Sequence, residues 1–377
     1  MPIVVRILLL LVIIGAAFAC GTQQGQGVPE ESTQEGSAQD DASRLSVSEA
    51  VGQMFVVGMS GTQPDYYITK MIHERNIGGV ILSGSNIESL EQTQTLVSAL
   101  QKLSTETPSS IPLIIAVDEE GGSVTRAPWI PSHPAATMVG KRGDPDSAYR
   151  IAEGVGQNLK EAGINTDLAP VVDTGSGAAI GDRSFGTDPN LVSRMGSAMV
   201  KGFEAADVVS VAKHFPNHGP ADQDSHTGSP IIGHDISTIE TQDLPPFKAA
   251  IDAGVPLVMV GHLIYPAIDP ALPASLSPRA ISLLRQDLGF KGVVITDALN
   301  MEGATRGGTV AQTAVEAVSA GADMLLLSAE PQEQADAYEA VEQAVKSGQI
   351  SREQINQSVG RILRLKEEYR IDKEHPV

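Results

Sequence analysis

Cysteine is almost missing from this chain. Cys20 is the only one in 377 residues, so no intramolecular disulfide can form and no thiolate-rich metal site can be assembled. Aromatic residues make up 4%, too few to build stacking platforms for single-stranded nucleic acid. Basic residues are also scarce: 26 Lys and Arg stand against 46 Asp and Glu, a formal net charge of −20. No basic stripe offsets that acidity, so nucleic acid is not an expected partner. No Gly-x-Gly-x-x-Gly fingerprint follows the first candidate strand, and a dinucleotide has no support. No cofactor is expected.

The N-terminus reads as an address rather than as fold. "MPIVVRILLLLVIIGAAFAC" has one arginine, a short apolar run and small residues before Cys20. That is the layout of a secretory signal, and the run is short for a stable membrane span. Cys20 stands where a bacterial lipoprotein signal is cut and lipidated; "AFAC" resembles a lipobox, with Ala17 where leucine is most usual. The alternative is an ordinary signal peptide with an incidental cysteine. Residues 21–44 are rich in Gln, Gly, Ser and Glu and offer almost nothing to bury, which predicts a flexible polar tether. The expectation is an exported protein, lipid-anchored through Cys20 on the outer face of a membrane, with residues 45–377 as one catalytic domain.

From residue 50 onward, short apolar runs alternate with helical patterns. The candidate strands are 54–60, 79–84, 113–118, 166–173, 208–215, 257–262, 292–297 and 323–328. They are continuously apolar, as strands covered on both faces should be. Eight β–α units point to an α/β fold, a single (β/α)8 TIM barrel, with a doubly wound open sheet as the alternative architecture. A barrel demands that reactive residues gather at the C-terminal ends of its strands. Asp118, Asp173, Lys213–His214, His262 and Asp297 all end candidate strands, and the opposite ends show no comparable cluster.

Asp297 follows "VVIT", which places a carboxylate over a dry floor and suits a nucleophile attacking an anomeric carbon. An aspartate there could equally cap the next helix. Asp118 and Arg126 bracket a Gly-Gly turn that lets backbone approach a ligand, or that closes with a surface ion pair. Arg183, in "GDRSFG", is either a fork for substrate hydroxyls or a buried arginine paired with Asp182 or Asp188. The stretch "KHFPNHGPADQDSH" (213–226) concentrates titratable groups on a segment whose prolines forbid a helix. A metal site from His214, His218, Asp224 and His226 is disfavoured, because Pro216 breaks the helix that would align the first two histidines. Proton transfer fits better. Asp224 and His226 are two apart, and in an extended segment both side chains project to one side. A carboxylate there fixes the imidazole tautomer and raises its basicity.

These residues carry a resemblance. "KHFPNHGPADQDSH" resembles the signature of glycoside hydrolase family 3 in its β-N-acetylglucosaminidase branch. "VGQMFVVGMSG", "GGVILSGSNI", "DEEGGSVTR", "APVVD", "IGDRSFG" and "GVVITDALNME" follow in the family's order over about residues 45–370. The resemblance implies a retaining, exo-acting enzyme on terminal β-linked N-acetylhexosamine, with peptidoglycan fragments or chitin oligomers as the carbohydrate substrate. It implies Asp297 as nucleophile, His226 as general acid/base and Asp224 as its partner. It implies that Asp118, Arg126, Arg183, Lys213 and His214 hold the non-reducing sugar. Asn217 departs from the usual glycine and Ser123 from a common arginine. A β-glucosidase of the same family, a GlcNAc phosphorylase and a non-catalytic glycan-binding lipoprotein are the competing readings.

Overall fold

The computed structural model describes residues 38–371; the signal segment and Cys20 lie outside the described residues. All eight expected strands are present: β1 (Phe55–Gly58), β2 (Gly79–Leu82), β3 (Ile114–Val117), β4 (Thr166–Asp167), β5 (Val209–Phe215), β6 (Leu257–Val260), β7 (Val293–Thr296) and β8 (Leu325–Leu327). They pair in parallel in the order β7-β6-β5-β4-β3-β2-β1-β8. A parallel bridge between Ile295 and Met324, with Leu299 N–H donating to the Leu326 carbonyl, brings the two ends together. The result is a (β/α)8 barrel, and the open doubly wound sheet is excluded.

The sequence explains the elements. β3 and β6 are apolar throughout, β7 is apolar but for Thr296, and all three are buried, as strands covered by helices outside and by packed side chains inside must be. Helices start on oxygen-bearing caps. Asp144 and Asp188 each accept from a backbone N–H two residues on, just before Pro145 and Pro189 in the first turn. β4 is much shorter than the expected 166–173. Pro170 has no N–H for the ladder, so pairing with β5 continues only as single contacts such as Val171 with Lys213. The β5–β6 register shifts between Ala212 and Phe215, at Lys213–His214, and a break in the ladder is a common way to aim side chains into a site.

Two expectations need correction. Residues 38–44, read as tether, form a helix. Ala38 and Ala42, one turn apart, are buried, and Arg352 Nη2 donates to the Leu45 carbonyl at 2.6 Å; alanines at that spacing make a thin apolar face that composition alone hides. The end of the barrel opposite the site is also charged. Lys366 Nζ plugs it, donating to Gln53 Oε1 (2.8 Å), the Gly78 carbonyl (2.9 Å) and the Pro112 carbonyl (2.7 Å). Asp323 is fully buried and gathers Arg285, Arg361 Nη1, Ser358 Oγ and the Val294 N–H. Both charges are spent on structure.

Burial pushes Lys366 down to about 7, while three oxygens take its three protons. Lys366→Met is therefore expected to cost about 2–4 kcal/mol, because buried acceptors lose their donor. Urea midpoints at unchanged slope check this, with turnover per folded molecule retained. A variant as stable as the native chain would show that the ammonium holds nothing. Among the described residues, no helix is long and apolar enough to cross a membrane.

Candidate active site

The C-terminal ends of the strands open into a cleft of about 480 Å³, within the range typical of small-ligand sites. Asp118, Arg126, Arg183, Lys213, His214, Asp224, His226 and Asp297 all line it. The structure thus gathers every residue proposed for the chemistry, contributed by β5 and by the segments that follow β3, β4, β5 and β7.

One wall is a tight electrostatic cluster. Lys213 Nζ lies 2.6 Å from both Asp118 Oδ1 and Glu120 Oε1. Arg183 grips Glu120 as a fork, Nε to Oε2 at 2.7 Å and Nη2 to Oε1 at 2.8 Å. Burial works against the Glu120 carboxylate, but Lys213 and then Arg183 outweigh it and hold the group at about 2. Burial likewise lowers Lys213, and Asp118 and Glu120 more than restore it, so it stays an ammonium. Arg183 therefore pairs with Glu120, neither with Asp182, which accepts from Ser123 Oγ, nor with Asp188, which caps a helix. No ion pair joins Asp118 to Arg126; Asp118 faces Lys213, and Arg126 Nη1 donates to the Thr125 carbonyl. The Arg126 backbone N–H donates to Glu119 Oε2 at 2.6 Å. Gly121 and Gly122 carry φ of 91° and 58°, and a Cβ on Gly122 would lie 2.5 Å from that of Ala135, so this turn requires glycine.

His214 is oriented from behind. Asp173 is fully buried, and its Oδ2 lies 2.7 Å from His214 Nδ1. Its Oδ1 accepts from the backbone N–H groups of His214 (3.1 Å) and His218 (2.6 Å). A proton on Nδ1 leaves His214 Nε2 for the cleft. Asn217 is buried and fully satisfied. Its Oδ1 accepts from Thr174 N and Gly219 N, and its Nδ2 donates to the Thr174 carbonyl and Asp243 Oδ1. The asparagine clamps the start of the loop after β5.

Asp297 stands at the end of β7, its backbone N–H donating to the Val260 carbonyl at 3.0 Å. Its Oδ1 accepts from the Ala298 N–H at 2.7 Å. It caps no helix: the next one, Glu302–Thr305, begins after Met301. Burial raises its pKa, but His214, His262, the Ala298 N–H and Lys213 outweigh that and set it at about 2. A partly exposed carboxylate held ionised in a dry recess is what nucleophilic attack needs. His262, beneath it, is fully buried and pushed towards the neutral form by that burial. Its Nε2 lies 3.0 Å from the Ala298 carbonyl and its Nδ1 2.7 Å from Ser275 Oγ.

Asp224 and His226 form the expected pair, though not on an extended segment. Asp224 caps a short 3-10 turn, Ser225–Thr227. Its Oδ1 takes both the His226 backbone N–H (3.0 Å) and ring Nδ1 (2.7 Å). One carboxylate oxygen bonded to both groups replaces the alternation of a strand. His226 is largely exposed, its side chain 70% open to solvent. With Nδ1 bonded to Asp224, Nε2 is free to give or take a proton. Burial raises Asp224, and the two bonds from His226 more than reverse it, keeping it a carboxylate. Between the pair, Ser225 is buried, with Oγ 3.2 Å from His218 Nε2. Among the described residues, no three His, Cys, Asp or Glu side chains are grouped to hold a metal.

Sequence reasoning missed Glu120 and left Asp173 without a role. Glu120 could have been found: Asp118 and Glu120 are two apart beside a strand end, which puts both on one side.

The model of the glycosyl hydrolase family 3 N terminal domain matches residues 46–365. The chain is 36% identical over 330 residues to "Beta-hexosaminidase A" of Pseudoalteromonas piscicida, covering 79% of this chain and 54% of that protein. It is 36% identical over 265 residues to a "Beta-hexosaminidase" of Nitrosomonas eutropha, covering 68% and 74%. The structure of a family 3 β-N-acetylglucosaminidase from a Paenibacillus species superposes with a TM-score of 0.86 at 38% identity, covering 88% of this chain and 64% of that one. A β-N-acetylhexosaminidase from Beutenbergia cavernae gives 0.79 at 31% identity, covering 85% and 98%. The chain thus spans about half the length of the Pseudoalteromonas relative and somewhat under two thirds of the Paenibacillus chain.

Proposed function

The chain belongs to glycoside hydrolase family 3, and from that premise we propose that it is a retaining, exo-acting β-N-acetylglucosaminidase. The observation that carries the reading is one cleft holding two reactive units on separate elements: Asp297 on a strand end and the Asp224–His226 pair on a loop. Asp297 attacks the anomeric carbon as the leaving oxygen departs, giving a covalent glycosyl-enzyme. His226 Nε2 donates a proton to that oxygen, then accepts one from the water that releases the sugar, and two displacements give retention. Asp224 holds the ring in the required tautomer and supports its positive charge.

Asp118, Lys213, Arg183 and His214 wall the cleft with preorganised donors and acceptors for sugar hydroxyls. Lys213 is fixed between two carboxylates, so it can serve a substrate oxygen without first being reoriented. The names of the relatives direct the proposal to a 2-acetamido sugar; its place at the non-reducing end, and peptidoglycan fragments or chitin oligomers as its source, belong to the same proposal.

The test is a pair of aryl β-glycosides differing only at C2, assayed with and without phosphate. A site built to bond a polar group rejects a substrate that leaves its partners unpaired. The GlcNAc donor is expected to exceed the glucoside in kcat/KM by at least about 10²-fold, with phosphate leaving the rate unchanged. Equal efficiencies would overturn the acetamido assignment. Acceleration by phosphate with release of a sugar phosphate would make the enzyme a phosphorylase.

A further inference from the structure

Asp297 stands at a strand end and the Asp224–His226 pair on a separate loop, so something has to set the distance between them. Gly303 lies in the short helix Glu302–Thr305 that follows Asp297. A Cβ built on it would lie 2.7 Å from the Ser225 carbonyl oxygen and 2.7 Å from that of Gly228. Those two carbonyls flank His226. The His262 Cβ lies 3.1 Å from the same point, so the glycine has no room to retreat toward the barrel. Ser229 Oγ donates to the Gly303 carbonyl at 2.7 Å and closes the contact from the other side. The loop is also latched from below, where buried Ser225 meets His218 Nε2, and His218 in turn hangs by its N–H from Asp173.

We propose that Gly303 is a positioning residue that registers the Asp224–His226 loop against the loop of Asp297. It acts through backbone contact alone, and its function is the missing side chain. Glycine costs helix stability relative to alanine, so a glycine inside a helix suits a position that another backbone must approach. The 3-10 turn rests on it, and Asp224 and His226 then project past it into the cleft. Adding one methyl group has to push the turn outward, because both neighbours are backbone carbonyls of a turn with no side chain to swing aside. The displaced group is the acid/base, while Asp297 stays on its strand.

This inference rests on the catalytic roles proposed above, and its test separates the two. Gly303→Ala should lower the glycosylation rate with a phenyl donor by about 10²-fold, the cost of a misplacement near 1 Å. A dinitrophenyl donor, whose leaving group needs no proton, should lose less than about threefold in the same step. Hydrogen exchange should rise over residues 222–229 and stay unchanged in β7. The substitution favours helix, so loss of the fold is not expected, and thermal melts check that. Ser229→Ala removes the bond to Gly303 without adding bulk; it should show the same donor dependence at smaller amplitude and decides the matter if Gly303→Ala does not fold. Equal loss on both donors, or loss on neither, overturns the inference. His226→Ala runs alongside. If it separates the donors and the Gly303 variant does not, the roles stand and the registering contact falls. If His226→Ala fails to separate them, the catalytic reading fails, and this inference with it.

Discussion

Asp297→Ala is expected to abolish turnover of every β-N-acetylglucosaminide, dinitrophenyl donors included, by at least about 10⁴-fold. The nucleophile enters the first bond-forming step, so no leaving group is good enough to bypass it. Three features of its environment support the role. It sits at the end of β7, its Oδ1 is bonded by the Ala298 N–H, and that bond together with His214, His262 and Lys213 holds its pKa at about 2 despite burial. A carboxylate so depressed is ionised above that value and is protonated, and lost as a nucleophile, only as pH falls through it. The acidic limb of the pH–rate profile at milder pH should therefore not belong to Asp297. Stopped-flow traces should show no burst, and intact mass should show no glycosyl adduct. Turnover within tenfold of the native enzyme would remove Asp297 from the mechanism.

His226→Ala should fail differently. Protonation of the leaving oxygen matters only when that oxygen is a poor leaving group. Glycosylation by phenyl glycosides and natural glycans should fall by about 10²–10⁴-fold, the usual contribution of a positioned acid. Dinitrophenyl donors should react at nearly native rates in the first step and then stall, because no base remains to activate water. The signature is a burst followed by a trapped adduct on Asp297. Azide needs no base and should restore turnover with the β-glycosyl azide as product. Asp224→Ala should give a weaker version of the same pattern, because the role proposed for Asp224 is exerted through the His226 ring it bonds. If His226→Ala slows phenyl and dinitrophenyl donors by one common factor, the acid is another group.

The loop suits the acid/base role proposed for His226. His226 stands largely in solvent, on a turn held by the buried Ser225 beside it. An exposed imidazole can meet both a departing oxygen and an arriving water. The nucleophile role proposed for Asp297 needs the opposite, a fixed line of attack, which a strand whose every residue is buried supports.

By itself the sequence determined the barrel and most of the cleft. Eight continuously apolar runs separated by helical patterns leave few architectures, because strands buried on both faces must be covered on both faces. Placing Asp118, Lys213, His214 and Asp297 at strand ends needed only the rule that a barrel collects its chemistry on one rim. The Asp224–His226 pair was legible because the two residues are close in sequence, although the turn that unites them is 3-10 and not extended. The tertiary structure decided what depends on partners far apart in the chain. Arg183 had two carboxylate choices on paper, Asp182 and Asp188, and takes neither; it pairs with Glu120, 63 positions away, which no spacing rule reaches. Asp173 and His214 meet across 41 positions, and Lys366 finds Gln53 across 313. Residues 38–44 look like tether until Ala42 is seen packed into the core. Gly303 is silent in the sequence for the same reason. A missing side chain has meaning only when the atoms that fill its place are known, and here the closest are the carbonyl oxygens of Ser225 and Gly228, on a loop far earlier in the chain. Local patterns fix which face of each element is buried; contacts between distant elements are fixed only once the barrel has closed and brought them within reach.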